Sequence, residues 1–184
     1  MKVVLLNGAP RSGKDTLAEE ILHVLESEGR SAAVMSVGHR LKDATHGFFA
    51  ALQMVPVPEW NAFEACKDSR SSFFCGRTPR EAYIRMHEDF IKPNYGQMFL
   101  ASLVRGQLRN APYDCVVVPD IGGEAEVIAF QGVDPVVVRV HRDDVRWDNR
   151  RAVSDAPNVI DYESTTEVNQ IRLWIKRHLL GRIL

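Results

Sequence analysis

A glycine loop between an apolar strand and an amphipathic helix constrains this chain most. The loop reads Gly8-Ala9-Pro10-Arg11-Ser12-Gly13-Lys14-Asp15-Thr16 and has the spacing G-x-x-x-x-G-K. Its glycines let the backbone curl, so that several N–H groups point into one anion-sized hollow. The start of the next helix adds positive potential, and Lys14 reaches toward the outer phosphates. The pattern predicts a phosphate-binding loop (P-loop); an ordinary glycine turn is the alternative. We expect Lys14 to face solvent when no ligand is bound.

Strands and helices alternate along the rest of the chain. The pattern predicts five strands, at about 2–7, 32–37, 114–118, 135–141 and 158–162. Helices are predicted at about 17–28, 40–52, 78–91, 97–110, 124–131 and 165–180. Thr78, Pro79 and Glu81 form a capping-box pattern at the start of the third helix. This alternation predicts an α/β fold with a parallel sheet covered on both faces.

Length, charge and cysteine content exclude several classes of protein. A chain of 184 residues favours one domain, and a net charge of −1 gives no reason to bind nucleic acid or an acidic membrane. Apolar runs such as Cys115 to Val118 are far shorter than the ~18 residues of a membrane span. No signal peptide is evident, so a cytoplasmic location is expected. Three cysteines without a C-x-x-C pair argue against disulfides and zinc.

Two acidic residues are candidates for a magnesium site. Asp15 stands where a P-loop usually carries the Ser or Thr that holds Mg²⁺. It could approach the metal directly or through water, or it could simply favour the helix start through the helix dipole. Asp120 follows an apolar strand, and the carboxyl edge of a parallel sheet is where ligands bind. Because acidic residues commonly end strands, Asp120 gains weight only in combination with the loop.

Several segments together resemble a known family. Besides the loop with its Gly-Lys-Asp-Thr variant, they are Leu41-Lys42-Asp43-Ala44, Thr78-Pro79-Arg80-Glu81 and Val118-Pro119-Asp120. In order and approximate spacing they are similar to the bacteriophage-type deoxynucleoside monophosphate kinases. The resemblance implies a P-loop kinase fold of the adenylate-kinase type, with a parallel five-stranded sheet. It also implies a single domain over 1–184, with a monophosphate-binding helical part at about 38–110 and a lid-like loop at about 142–156.

The same resemblance assigns ligands to residues. It implies transfer of the γ-phosphoryl group of ATP to a nucleoside monophosphate with Mg²⁺, and Asp15 and Asp120 would hold the metal. ATP would be bound by Gly8, Arg11, Ser12, Gly13, Lys14, Asp15 and Thr16. The acceptor would be bound by Arg40, Lys42, Arg77 and Arg80, and the reaction would be carried by Lys14, Asp15, Arg146 and Arg150.

Simpler interpretations stand beside these assignments. Arg40 and Lys42 could lie on a solvated helix face, and the arginines of the lid-like loop could be paired with its aspartates. A group of aromatic residues could line a base pocket, although core packing is favoured: Trp60, Phe63, Phe73 and Phe74. The family tends to have arginine two residues after the strand-end aspartate, whereas this chain has Gly122. Arg80 is the candidate substitute, because its fork can chelate a phosphate.

These observations predict a nucleotide monophosphate kinase acting on small-molecule nucleotides, with no nucleic-acid or membrane partner. The resemblance favours a deoxynucleotide acceptor and the cytoplasm, or a host cytoplasm if a phage encodes the chain. A P-loop kinase of another metabolite and a non-catalytic ATP-binding module are the alternatives. The base preference and a homodimeric state are left open.

Overall fold

Five parallel strands form one sheet in the order β2-β3-β1-β4-β5. The computed structural model describes residues 1–145, 153 and 156–184. The strands are β1 (Lys2–Gly8), β2 (Ala32–Val34), β3 (Cys115–Ile121), β4 (Val136–His141) and β5 (Val159–Glu163). The α/β class and the five-stranded parallel sheet predicted from the sequence are thereby confirmed.

Helices connect the strands. They are α1 (Lys14–Ser27), α2 (Val37–Gln53), α3 (Pro79–Arg85), α4 (Lys92–Tyr95), α5 (Phe99–Leu108), α6 (Glu124–Ala129), α7 (Val168–Trp174) and α8 (Leu180–Ile183). Wider π-helical turns occur at Met86–Ile91 and Ile175–Leu179, and short 3-10 turns occur at Glu64–Cys66 and Ser72–Phe74. The capping box at the start of α3 is confirmed, because Thr78 Oγ1 accepts from Glu81 N and Glu81 Oε2 accepts from Thr78 N.

Three predicted boundaries are wrong. The second strand ends at Val34 rather than 37, because the chain already turns into α2 at Val37. The helix predicted to stop before Pro93 continues, since the wide turn places Pro93 in the first turn of α4, where its missing N–H is not needed. The strand predicted to end at 118 extends to Ile121, so Asp120 lies inside β3 rather than after it.

Two compact units make up the chain. The first contains Met1–Ser36 and Ala101–Leu184, and therefore the whole sheet; the second is the helical segment Val37–Leu100. In the first unit, one face of the sheet packs against α1 and the C-terminal helices. The core on that face includes Val4, Leu6, Val117, Val138, Leu17, Ile21, Leu25, Ile171, Ile175 and Leu179. Val3 and Leu5 point to the opposite face and are also fully buried, as a sheet covered on both faces requires.

The second unit is built around a buried histidine. The ring of His46 is surrounded by the aromatic rings of Phe63, Phe73, Phe74 and Tyr83. The carbonyl of Pro58 lies 3.3 Å from Nδ1 and can only accept, so Nδ1 carries the proton. Nε2 then accepts from the Tyr83 hydroxyl at 2.8 Å. These phenylalanines therefore serve the core, as the favoured interpretation of the sequence expected.

The buried His46 makes the stability of the second unit dependent on pH. Burial lowers the pKa of His46, and the hydrogen bond to Pro58 opposes this only in part. A group with a depressed pKa in the folded state stabilises above its unfolded pKa, about 6.5, and loses that contribution as the pH falls. We therefore expect the urea midpoint to fall between pH 7.5 and pH 5.5, and to fall less in His46→Gln. An equal fall in both proteins would contradict this role.

Candidate functional site

The glycine loop lies at the carboxyl edge of the central strand. β1 pairs with β3 on one side and with β4 on the other, and it ends at Gly8. The loop then turns back through a hydrogen bond from Ser12 N to Ala9 O of 3.2 Å, and α1 begins at Lys14. The strand, loop and helix thus occupy the places that the sequence predicted.

Gly8 and Gly13 lie at positions where a side chain would clash with neighbouring atoms. A Cβ at Gly8 would lie 2.7 Å from Ser12 Oγ and 2.7 Å from the Val140 carbonyl oxygen. Gly13 has φ +94°, a left-handed conformation, and a Cβ there would lie 2.5 Å from Ser164 Oγ. Any side chain at either position would displace backbone or hydroxyl groups that shape the loop.

Lys14 folds back onto the loop. Its Nζ donates to the carbonyl oxygens of Gly8 at 2.9 Å and of Ala9 at 2.7 Å. The expectation that Lys14 faces solvent is therefore wrong, because carbonyls of its own loop satisfy its ammonium. Burial lowers the pKa of Lys14, while the nearby carboxylates of Asp15 and Asp120 raise it in opposition. Lys14 is thus a half-buried cation held between the loop and two acidic groups.

Several polar groups of the loop have no partner in the part of the chain that the structure describes. Ser12 is buried, and its Oγ has no hydrogen-bond partner among the described residues. Gly13 is the N-cap of α1 and offers no side chain, so the first N–H groups of the helix have no intrahelical partner and no side-chain cap. Arg11 adopts φ 67°, which turns the loop sharply. Donors of this kind at a helix start suit an anion with several oxygens.

The two candidate metal ligands lie near Lys14. Asp120 accepts a hydrogen bond of 2.6 Å from the Ser36 hydroxyl, which holds the carboxylate in place. Asp15 is exposed in the first turn of α1. Within residues 1–145, 153 and 156–184, no cluster of three or more His, Cys, Asp or Glu side chains could hold a metal. Two carboxylates suit Mg²⁺, which commonly keeps water and phosphate oxygens as its other ligands.

The predicted acceptor residues lie in the second unit, and two of them already have acidic partners. Lys42 forms an ion pair with Glu64 and lies 5.2 Å from the centre of the Trp60 ring. Arg80 donates to Asp68 through Nε at 2.6 Å and Nη2 at 3.3 Å. Arg40 is exposed on α2, and Arg77 lines a separate polar cavity.

Of the lid-like loop, the structure describes residues 142–145, 153 and 156. Arg142 Nη1 donates to the carbonyl oxygen of Arg11 at 3.1 Å, and its Nε forms an ion pair of 2.7 Å with Asp144. This segment therefore starts against the glycine loop. Arg146 and Arg150, to which the resemblance assigns a part in the reaction, lie outside the described residues, and these roles stay predictions.

Sequence reasoning missed three polar groups near the sheet edge. Asn7 is buried; its Nδ2 donates to Ile121 O at 2.8 Å and its Oδ1 accepts from Val153 N at 3.1 Å. Ser36 was not singled out as the partner of Asp120. Gly122 N donates to Glu126 Oε2 at 2.7 Å, so a carboxylate occupies the place where the family resemblance expects an arginine. Of these three groups, only Asn7 had a signal in the sequence, because it is a polar residue inside the apolar first strand.

Comparisons with known proteins add no relative. No protein-family model and no curated protein matches the chain. In the part of the chain that the structure describes, no helix is long and apolar enough to cross a membrane.

The glycine requirement can be tested by stability. Gly8→Ala should lower the free energy of unfolding by about 1–3 kcal/mol, because the new methyl group meets the Val140 carbonyl and Ser12. Gly106→Ala is the matched control: its Cβ meets open space on α5, so it should be neutral or stabilise by up to about 1 kcal/mol. Urea unfolding measures both. If Gly8→Ala were as stable as Gly106→Ala, the loop would not be packed as described.

Proposed function

We propose that the chain is an ATP-dependent nucleoside monophosphate kinase with a P-loop kinase fold of the adenylate-kinase type. It transfers the γ-phosphoryl group of ATP to a (deoxy)nucleoside monophosphate and releases ADP and the diphosphate. The observation that carries the proposal is the environment of Lys14, a cation held by the carbonyls of a glycine loop and flanked by two carboxylates. We place this activity in the cytoplasm, on small-molecule nucleotides.

The sheet supports the proposed site. The glycine loop follows β1, and Asp120 lies near the end of β3, the strand hydrogen-bonded to β1. Carboxyl ends of neighbouring parallel strands share one edge of the sheet, where ligands bind in open α/β folds. The loop and the carboxylate therefore meet where a triphosphate and its counter-ion would be bound.

The loop residues carry the binding chemistry. The N–H groups at the start of α1, together with the Ser12 hydroxyl, supply donors to phosphate oxygens. On binding, Lys14 would exchange the carbonyls of Gly8 and Ala9 for phosphate oxygens, which interact more strongly with an ammonium. Phosphoryl transfer asks mainly for positioning and charge stabilisation, and these groups provide both.

Asp15 and Asp120 are the residues that would hold Mg²⁺, which neutralises phosphate charge during transfer. Ser36 keeps the Asp120 carboxylate oriented through its 2.6 Å hydrogen bond. Asp15, exposed in the first turn of α1, is free to approach an incoming ion. Both carboxylates also act on Lys14, so the charges of the proposed site are coupled.

The identity of the acceptor has a second candidate. Glu126 beside Gly122 and the ion pairs of Lys42 and Arg80 favour a metabolite other than a nucleoside monophosphate as the second candidate. Steady-state ADP release with deoxynucleotide, ribonucleotide and metabolite acceptors distinguishes the two. Stimulation by nucleoside monophosphates alone supports the kinase proposed here. ATP binding without ADP release for any acceptor would leave a binding module instead.

Lys14→Ala should abolish catalysis while the protein stays folded. The variant loses a cation on the phosphates and two hydrogen bonds within the loop, but no core packing. We expect kcat/KM to fall at least about 100-fold, equivalent to ~2.7 kcal/mol. Lys176→Ala, which removes an exposed lysine paired with Glu28, is the control. Near-normal turnover in Lys14→Ala would show that the loop does not bind the transferred phosphates.

Asp120→Asn should reduce kcat by about 10-fold or more, with a smaller effect on ATP binding. The asparagine can still accept the Ser36 hydrogen bond, so the change removes charge with little structural cost. Asp114→Asn is a matched control, because Asp114 lies at the opposite end of the same strand and also accepts from a serine hydroxyl, Ser31, at 2.9 Å. Equal activity of both variants, or equal activity in EDTA and in Mg²⁺, would exclude a metal role for Asp120.

A further inference from the structure

The second unit contains a polar cavity that the proposed function does not use as a whole. Its volume is about 360 Å³, at the lower end of the range for small-molecule sites. The cavity lies between a short loop and the first turns of α3. It is lined by Arg70, Cys75, Gly76, Arg77, Glu81 and Arg85. Arg70 and Arg85 have no role in the site described above.

The backbone of the loop brings two of these arginines together. Ser71 N donates to Arg77 O at 3.0 Å, and Gly76 N donates to Ser71 O at 3.0 Å. Cys75 and Gly76 adopt φ values of 54° and 80°, so two consecutive left-handed residues turn the chain back on itself. The loop closure therefore sets Arg70 next to Arg77. Arg85 approaches from α3, one helical turn after Glu81.

The charges in the cavity are not balanced. In the described residues, no carboxylate lies within ion-pair distance of Arg70, Arg77 or Arg85, whereas Arg80 in the same unit is paired with Asp68. Glu81 is the one acidic residue in the described lining, and its carboxylate already accepts the Thr78 backbone N–H of the capping box. That hydrogen bond, with the nearby charges of Arg70 and Arg77, lowers the pKa of Glu81. Among the lining residues that the structure describes, three arginines against one carboxylate leave two positive charges in excess.

We propose that this cavity binds the phosphate group of a small anionic ligand through Arg70, Arg77 and Arg85. The planar guanidinium fork matches phosphate oxygens, and the excess charge favours a doubly charged monoester. Among the described residues, the lining carries no aromatic or large aliphatic side chain, so the cavity recognises the charged group and not a base. The phosphate belongs either to the acceptor, in which case this assignment rests on the kinase function proposed above, or to a separate effector.

Cys75 provides a direct readout, because it is an exposed thiol in the cavity lining. The whole protein is alkylated with N-ethylmaleimide in chloride buffer and in phosphate or deoxynucleoside monophosphate at matched ionic strength. Mass spectrometry follows Cys75 and the exposed Cys66, which serves as an internal control outside the cavity lining. We expect phosphate compounds to slow modification of Cys75 about fivefold or more, with Cys66 unchanged.

Matched variants separate this site from general charge effects. Arg70→Gln and Arg85→Gln, both at exposed positions, should lose the protection of Cys75. Lys92→Gln also removes one positive charge from the same unit. It should keep the protection of Cys75, because Lys92 pairs with Glu88 outside the cavity. Circular dichroism confirms that each variant is folded. Absence of protection in the wild type, or equal protection in the arginine variants and Lys92→Gln, would overturn the proposal.

Steady-state kinetics then identify the source of the phosphate. If Arg70→Gln raises the acceptor KM about fivefold or more while kcat and the KM for ATP change less than twofold, the cavity holds the acceptor. If protection is lost but the kinetics are unchanged, it holds a separate phosphate effector. If phosphate protects Cys75 but the protein shows no kinase activity, the phosphate site is supported and the proposed kinase function is rejected. Failure of the phosphate site can therefore be distinguished from failure of the kinase function.

Discussion

The arrangement of the first unit depends on the burial of β1 between β3 and β4. Val3, Val4, Leu5 and Leu6 have no solvent exposure. Both edges of the strand are hydrogen-bonded to neighbouring strands, and this pairing fixes the position at which the strand ends. The chain must leave the sheet at Gly8, where a Cβ would lie only 2.7 Å from the Val140 carbonyl oxygen. The conformation of the loop, and with it the position of Lys14, follows from that confinement.

The confinement of the loop also has an electrostatic consequence for Lys14. The loop brings an ammonium into a partly buried place, where carbonyl oxygens and two carboxylates compensate for lost solvation. The hydrogen bonds to Gly8 and Ala9 thus satisfy the half-buried ammonium of Lys14 within its own loop. In the second unit the balance differs: Lys42 and Arg80 form ion pairs with neighbours, whereas no carboxylate of the described residues lies within ion-pair distance of Arg70, Arg77 or Arg85. Partner carboxylates, and not the number of arginines, decide which cations are available.

Prediction from the sequence succeeded where local rules are strong. The α/β class, the parallel sheet and the capping box of α3 follow from alternating patterns and from a four-residue motif. It failed at the end of the second strand, at Pro93 and at Asp120, where pairing with neighbouring strands or a wide helical turn moved a boundary. The solvent-facing Lys14 was wrong for a related reason, since the nearest acceptors were carbonyls of its own loop.

The sequence by itself determined the order of strands and helices, the glycine loop and the chemical character of its residues, because these depend on periodicity and on spacing over a few positions. Only the tertiary structure decided that Ser36 orients Asp120 and that Asn7 accepts a hydrogen bond from Val153 N. Each of these contacts depends on where separate segments are brought by folding. Ser36 and Asp120 are 84 positions apart, and no local pattern in either segment specifies the other.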